Sequence, residues 1–181
     1  MKIAALMVVA CWPIYLSLFV RKPTKPKAEA NRDALSLIGV FLQFSAVVLV
    51  WVWRRPLFSS IAVDPLVNGI VMSSAAVGAV ASVLVSRWAL QSLGENWDFV
   101  ASVGRDHQLV ESGPYAVLRH PLYLCFFVLT LATAVVWSQP LAIAIGGVVF
   151  VAGVWIRVRV EEKLLRAAFG ERFEAYRRKR V

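Results

Sequence analysis

The chain has 181 residues, 59% of them hydrophobic, and a mean hydropathy of +0.67, which is too apolar for an ordinary soluble domain of this length. Its formal charge of +9 comes from basic residues between and after apolar runs, where retention on one membrane face accounts for them and argues against a nucleic-acid partner. Cys11 and Cys125 each stand inside an apolar run without CxxC or Cys/His ligand spacing, which argues against a disulfide scaffold and against a metal site.

These features predict an all-α fold, a single integral-membrane helical bundle over 1–181. Three N-terminal spans fall in 1–88; a long loop, a helical hairpin and a C-terminal helix occupy 89–181. Ile3 to Val20 is just long enough to cross a bilayer core of ~30 Å at ~1.5 Å per residue. Lys2 and the Val8-Val9-Ala10-Cys11 stretch imitate a lipoprotein signal, but the apolar character continues past Cys11, so the run reads as the first membrane helix. Arg21 to Asp33 is a basic loop with two prolines. Leu35 to Trp53 is the second span, with Asp33 as the expected cap and Trp51, Trp53 and Arg54-Arg55-Pro56 as the stop. Pro65 to Trp88 is the third, rich in small residues that permit close helix packing in lipid.

Ala89 to His120 is the only long polar interval, punctuated by Gly94, Gly104 and Gly113-Pro114. Leu122 to Trp137 is a short fourth span with Pro121 at its helical start, and Ser138-Gln139-Pro140 turns the chain back into a fifth, Leu141 to Val158. From Glu161 to Arg180, Leu164, Leu165, Ala168, Phe169, Phe173 and Tyr176 recur at three-and-four spacing, predicting an amphipathic helix on a membrane surface, bent near Gly170. With five spans, every Lys and Arg except Lys2, Arg54 and Arg55 falls on one side, which puts the long loop and the C-terminus in the cytoplasm.

An antiparallel pairing of the fourth and fifth spans brings Arg119, His120, Pro121 and Tyr123 to the same boundary as Arg157, Arg159, Glu161 and Glu162. Arg157 and Glu161 also share one helix face, so an i,i+4 ion pair worth ~0.2 to 0.5 kcal/mol is the plain alternative to a binding site. His120 reads equally as a helix cap or a ligand contact. Tyr115 and Tyr123 read either as interfacial anchors or as surfaces on which an aromatic ring stacks.

His107-Gln-Leu-Val110, Gly113-Pro-Tyr115, Arg119-His-Pro-Leu-Tyr123, and Arg157 with Glu161-Glu162 ahead of Phe169-Gly170 and Tyr176 form an ordered set. It resembles the isoprenylcysteine carboxyl methyltransferase family and its phospholipid methyltransferase relatives, over roughly Leu93 to Tyr176. The resemblance implies S-adenosylmethionine bound at the cytoplasmic boundary and a lipophilic acceptor arriving from within the bilayer, among membrane lipids. It implies that His107, Gln108, Leu109, Val110, Tyr115, His120, Pro121, Leu122, Tyr123 and Glu161 line the cofactor pocket, with Glu161 or Glu162 accepting from amino or hydroxyl groups. It gives Arg157 to the acceptor. The family often has glycine two residues after the last tyrosine of this set, where Cys125 stands here, and many members carry a basic, proline-containing tail beyond the point at which this sequence stops.

Isoprenylcysteine carboxylate, an ethanolamine amine and a small isoprenoid lipid all remain open as acceptors. A nicotinamide-dependent sterol-type membrane reductase is the second enzymatic reading, since such enzymes resemble this arrangement in their C-terminal parts. A membrane scaffold or sensor is the non-enzymatic one.

Overall fold

The computed structural model describes residues 2–20, 31–32, 34–56, 64–97, 102–103 and 108–180. Six α-helices among the described residues carry the fold: α1 (Lys2–Ser17), α2 (Leu35–Val52), α3 (Pro65–Leu93), α4 (Pro121–Trp137), α5 (Pro140–Phe169) and α6 (Glu171–Arg178). Among the described residues the only strands are the two-residue β1 (Asn31–Arg32) and β2 (Ser102–Val103), paired antiparallel, which tie the first loop to the long one. The expected Asp33 cap lies outside the described residues, and Ala34 precedes the first turn of α2.

By length and composition, α2, α3 and α5 can cross a membrane, while α1 and α4 are apolar helices of 16 and 17 residues. α3 begins at a cap of the expected chemistry: the Asp64 carboxylate accepts from Leu66 N at 2.8 Å and Val67 N at 3.0 Å, with Pro65 where a missing N–H costs little. Both α3 and α5 outrun their apolar stretches, with 29 and 30 residues and about 45 Å each against a bilayer core of about 30 Å. Their overhanging ends frame the segment that leads into α4.

Packing departs from a simple hairpin of α4 on α5. The most intimate partner of α5 is α2, antiparallel to it, where the two backbones meet at Gly39 and Gly153. A Cβ on either would lie 2.7 Å from the other's carbonyl oxygen. α4 instead lies along α3 and α1, with the Trp12 indole N–H donating to Thr133 Oγ1 at 2.8 Å in the buried interior. The gap between α4 and α5 is filled by aromatic rings, Phe126 and Phe127 against Phe150 at 5.0 and 5.5 Å.

At the far end, Arg55 is not merely a stop signal. It is buried and donates from Nη2 to Val135 O at 2.6 Å, satisfying a carbonyl of the last turn of α4 that helix geometry leaves open. Ser138 Oγ, donating to Val50 O at 2.7 Å, and the backbone bonds of Arg55 N to Trp137 O and Gln139 N to Trp53 O clamp the same turn onto α2.

The predicted amphipathic helix is bent at Gly170, as expected, where a positive φ of 52° ends α5 and starts α6. Its apolar face has a different destination from the membrane surface. Phe173 and Tyr176 are 2% and 5% exposed and pack against Leu109. The chain's own loop covers that face, because a half-buried loop needs apolar cover as much as the helix does.

Candidate functional site

The site begins with the turn that enters α4. Gly113 takes a φ of 62°, a conformation glycine adopts at little cost, and a side chain there would run into Ser92 and Trp88 of α3. The 3-10 turn Gly113–Ala116 buries Pro114 and Tyr115 beside α3. α6 seals it from the other side, the Tyr176 hydroxyl donating to Tyr115 O at 2.9 Å. Arg119 and His120 therefore emerge at a fixed place, directly ahead of Pro121.

There they meet the overhang of α5. Arg119 Nη1 donates to Glu162 Oε1 at 2.9 Å. The His120 ring bridges both carboxylates, Nε2 at 3.4 Å from Glu162 Oε1 and Nδ1 at 3.6 Å from Glu161 Oε2. The Tyr123 hydroxyl, one helical turn inward, donates to Glu161 Oε2 at 2.9 Å. Arg177 of α6 approaches Glu162 Oε2 at 3.8 Å. Burial by itself pushes the His120 imidazole down, but hydrogen bonds and charge from Glu161 and Glu162 more than reverse this, raising it to about 9. His120 is thus an imidazolium at neutral pH, and its cap reading gives way, since its side chain makes no capping bond.

Arg157 lies one turn before Glu161, toward the apolar half of α5. Its guanidinium stands over the Tyr123 ring at 5.1 Å, and Nη1 is 3.5 Å from Gln43 Oε1 on α2. Tyr123 is therefore engaged on two sides, by Arg157 and by the His120 ring at 5.7 Å. Tyr115 is only 7% exposed, though close enough to feel the charge of Glu161. Tyr115 is thus buried, and the Tyr123 ring already has two partners.

The remaining sequence-derived candidates divide by position. Gln108 is exposed, its backbone N–H bonded to Asn96 Oδ1 at 3.0 Å; Leu109 is buried under α6; Val110 is half-buried. Pro121 is buried and Leu122 half-buried in the first turn of α4. His107 lies outside the described residues. Sequence reasoning left Gln43 and Arg177 out of the site. Gln43 carried a readable signal, a lone amide in the apolar run of α2. Arg177 carried none, since it is one of many basic residues near the C-terminus.

Comparison with known proteins adds what geometry alone does not. The model of the isoprenylcysteine carboxyl methyltransferase family matches residues 74–167, more than half of the chain. The chain belongs to the isoprenylcysteine carboxyl methyltransferase family. The match runs from within α3 to within the α5 overhang, so it contains Arg119, His120, Tyr123, Arg157, Glu161 and Glu162, and excludes α1, α2 and α6. Among the relatives named protein-S-isoprenylcysteine O-methyltransferase are two from yeasts. The one from Schizosaccharomyces pombe is 31% identical over 93 residues, and the one from Saccharomyces cerevisiae 32% over 97, each alignment covering 50% of this chain and 39% of the relative. A third, the cobalt-zinc-cadmium resistance protein CzcN of Cupriavidus metallidurans, is 32% identical over 91 residues, 50% of this chain and 42% of its own length. The chain thus matches only about two fifths of the length of these relatives. Among the described residues no group of three or more His, Cys, Asp or Glu is placed to hold a metal ion.

The residues present fit the polar parts of S-adenosylmethionine. Arg119 and His120 carry positive charge at the start of α4, where first-turn N–H groups lack intrahelical partners, a combination suited to a carboxylate. The buried Arg119 Nε has no partner among the described residues, leaving a donor to spare. Glu161, with its side chain 36% exposed, retains acceptor capacity for an ammonium or a hydroxyl.

Proposed function

We propose that this protein is an S-adenosylmethionine-dependent methyltransferase acting on a lipophilic acceptor with an anionic oxygen, an isoprenylcysteine-like carboxylate being the best match. The observation that carries this reading is the ionised layer at the α4–α5 boundary. Arg119, His120 and Tyr123 are locked to Glu161 and Glu162, and Arg157 lies one turn deeper, beside the apolar part of the bundle. Family membership and the two relatives' names give the reading its chemistry.

When bound, S-adenosylmethionine supplies a methyl group on a sulfonium; a carboxylate oxygen takes the methyl as the S–C bond breaks to a neutral thioether, so no proton has to move. The protein's task is then to hold two partners in line and keep water out. Arg119 and the first turn of α4 hold the carboxylate end of the donor, with the His120 charge close by, and Glu161 holds its ammonium or ribose. Leu109 and Tyr115, sealed by α6, bar water from the loop side. Arg157, permanently charged and planar, aligns the acceptor's oxyanion.

In this proposal all five apolar helices cross the membrane, with the long loop and the C-terminus cytoplasmic. The charge distribution supports that orientation. Direct binding and transfer test the function: calorimetry of the purified protein with S-adenosylmethionine and with NADPH, followed by methyl transfer to an N-acetylated S-isoprenylcysteine. Glu161→Gln is expected to weaken S-adenosylmethionine about tenfold or more, as loss of a charged hydrogen-bond partner does, with the bundle still folded. Binding of NADPH alone, or a donor affinity untouched by the substitution, would overturn the assignment.

A further inference from the structure

The crossing of α2 and α5 sets two polar side chains face to face. Gly39 and Gly153 let the backbones touch, and one turn beyond each stand Gln43 and Arg157. Gln43 is 1% exposed in an apolar helix, a place where an amide needs its hydrogen bonds met. Its carbonyl Oε1 faces Arg157 Nη1 at 3.5 Å. Because a guanidinium only donates, this contact fixes which way the amide is turned: oxygen toward Arg157, nitrogen away from it. The nitrogen, Nε2, is buried and has no hydrogen-bond partner among the described residues. A buried donor left unmet costs free energy until an acceptor reaches it, and this one stands beside a charged residue of the site.

We propose that Gln43 is a specificity-determining residue whose amide Nε2 donates to an oxygen of the methyl acceptor, next to the Arg157 guanidinium. This rests on the methyltransferase reading above and deepens it. With its carbonyl turned to Arg157, Gln43 offers the acceptor an N–H donor beside the guanidinium, a pairing that suits a carboxylate and disfavours an ammonium headgroup. Gln43 lies on α2, outside the stretch that matches the family model. The part of the chain beyond the shared core therefore takes part in choosing what the core methylates.

The test uses the full chain in detergent or nanodiscs, methyl-labelled S-adenosylmethionine, and two acceptors: N-acetyl-S-farnesylcysteine and phosphatidylethanolamine. Gln43→Leu is expected to raise KM for the farnesylcysteine about tenfold, the effect of losing one hydrogen bond to a charged group, with kcat and donor affinity nearly unchanged. Gln43→Glu, close to the same shape, should raise KM at least as far, because its carboxylate competes for Arg157 and repels the acceptor. A KM unchanged in both variants, or wild-type preference for phosphatidylethanolamine, would overturn the proposal. So would unfolding of both variants, which would make Gln43 a packing residue. Wild-type protein that binds no S-adenosylmethionine and labels neither lipid would instead sink the reading on which it rests.

Discussion

His120 sits where three demands meet: burial that disfavours its charge, two carboxylates that favour it, and the start of a helix. The carboxylates win, and this makes stability depend on pH in a defined window. The folded-state pKa is raised to about 9 from a usual 6.5, so the stabilisation is fully present below about 6.5 and is lost as pH rises through about 9. At 1.36 kcal/mol per unit, the amount at stake is on the order of 3 kcal/mol. The melting temperature in detergent should fall between neutral pH and about pH 9.5, and His120→Gln should flatten that slope. A slope of equal size in the variant would remove His120 as its source.

Arg157 poses the question of ion pair against acceptor contact at the same scale. Lysine keeps the charge and any pairing with Glu161 but lacks the planar fork that reaches Gln43 while lying over Tyr123. Arg157→Lys is therefore expected to lower methyl transfer about tenfold or more while S-adenosylmethionine affinity stays within about twofold. Equal turnover would return Arg157 to a topological or ion-pair role, and a matched loss of donor affinity would move it into the donor pocket.

At the scale of elements, the α2–α5 crossing positions the deeper half of the site. Gly153→Ala would put a Cβ 2.7 Å from Gly39 O and 3.0 Å from Gln43 Cγ, and backbone on both sides has little room to yield. Overpacking of this kind costs about 1–3 kcal/mol. Gly147, on the same helix, has nothing within 4 Å of its would-be Cβ, so Gly147→Ala should be neutral or gain up to about 1 kcal/mol from helix propensity. Thermal unfolding of the pair reads the contrast directly, and equal stabilities would mean the two helices do not meet as described. α6 acts as the other positioning element. The exposed Arg166–Glu174 pair at 2.6 Å adds little, since such pairs are worth about 0–1 kcal/mol, whereas buried Phe173 holds the helix against Leu109. Phe173→Ala is expected to cost about 3–5 kcal/mol of local stability and to expose Leu109 and Tyr115, read as loss of hydrogen-exchange protection over 108–116 and 171–178. Unchanged protection would separate α6 from the loop.

At the scale of the whole molecule, the overhangs of α3 and α5 gather the polar network at one end of an otherwise apolar bundle. The turn between α4 and α5, clamped by Arg55 and Ser138, closes the other end. A tag placed after Val181 should be shielded from an impermeant reagent in intact cells and labelled after lysis, because the proposed five-span orientation puts nearly all the basic residues on the cytoplasmic side. Labelling without lysis would overturn the five-span orientation. The same plan explains what was readable in advance. Apolar runs, stop signals and turn prolines place α1, α2 and α4 to within three residues, since each is a local property of the chain: Leu35 to Trp53 is the expectation and Leu35–Val52 the helix. α3 and α5 instead run past the expected ends at Trp88 and Val158 to Leu93 and Phe169, because backbone hydrogen bonding carries a helix on where the apolar pattern stops. The ordered polar set and the tight Ser138-Gln139-Pro140 turn likewise sufficed to bring Arg119, His120 and Tyr123 to Glu161 and Glu162, because a short connection between two apolar helices leaves few other geometries. Which helix packs on which was not legible. α1, α2 and α4 are apolar almost all round, so no face is marked for the interior, and only side-chain fit between distant segments chose α2 for α5 and α3 for α4. That choice placed Gln43 beside Arg157, turned α6 onto Leu109 and left Tyr123 held on two sides, contacts that depend on how separate stretches of chain meet in space rather than on any local pattern within them.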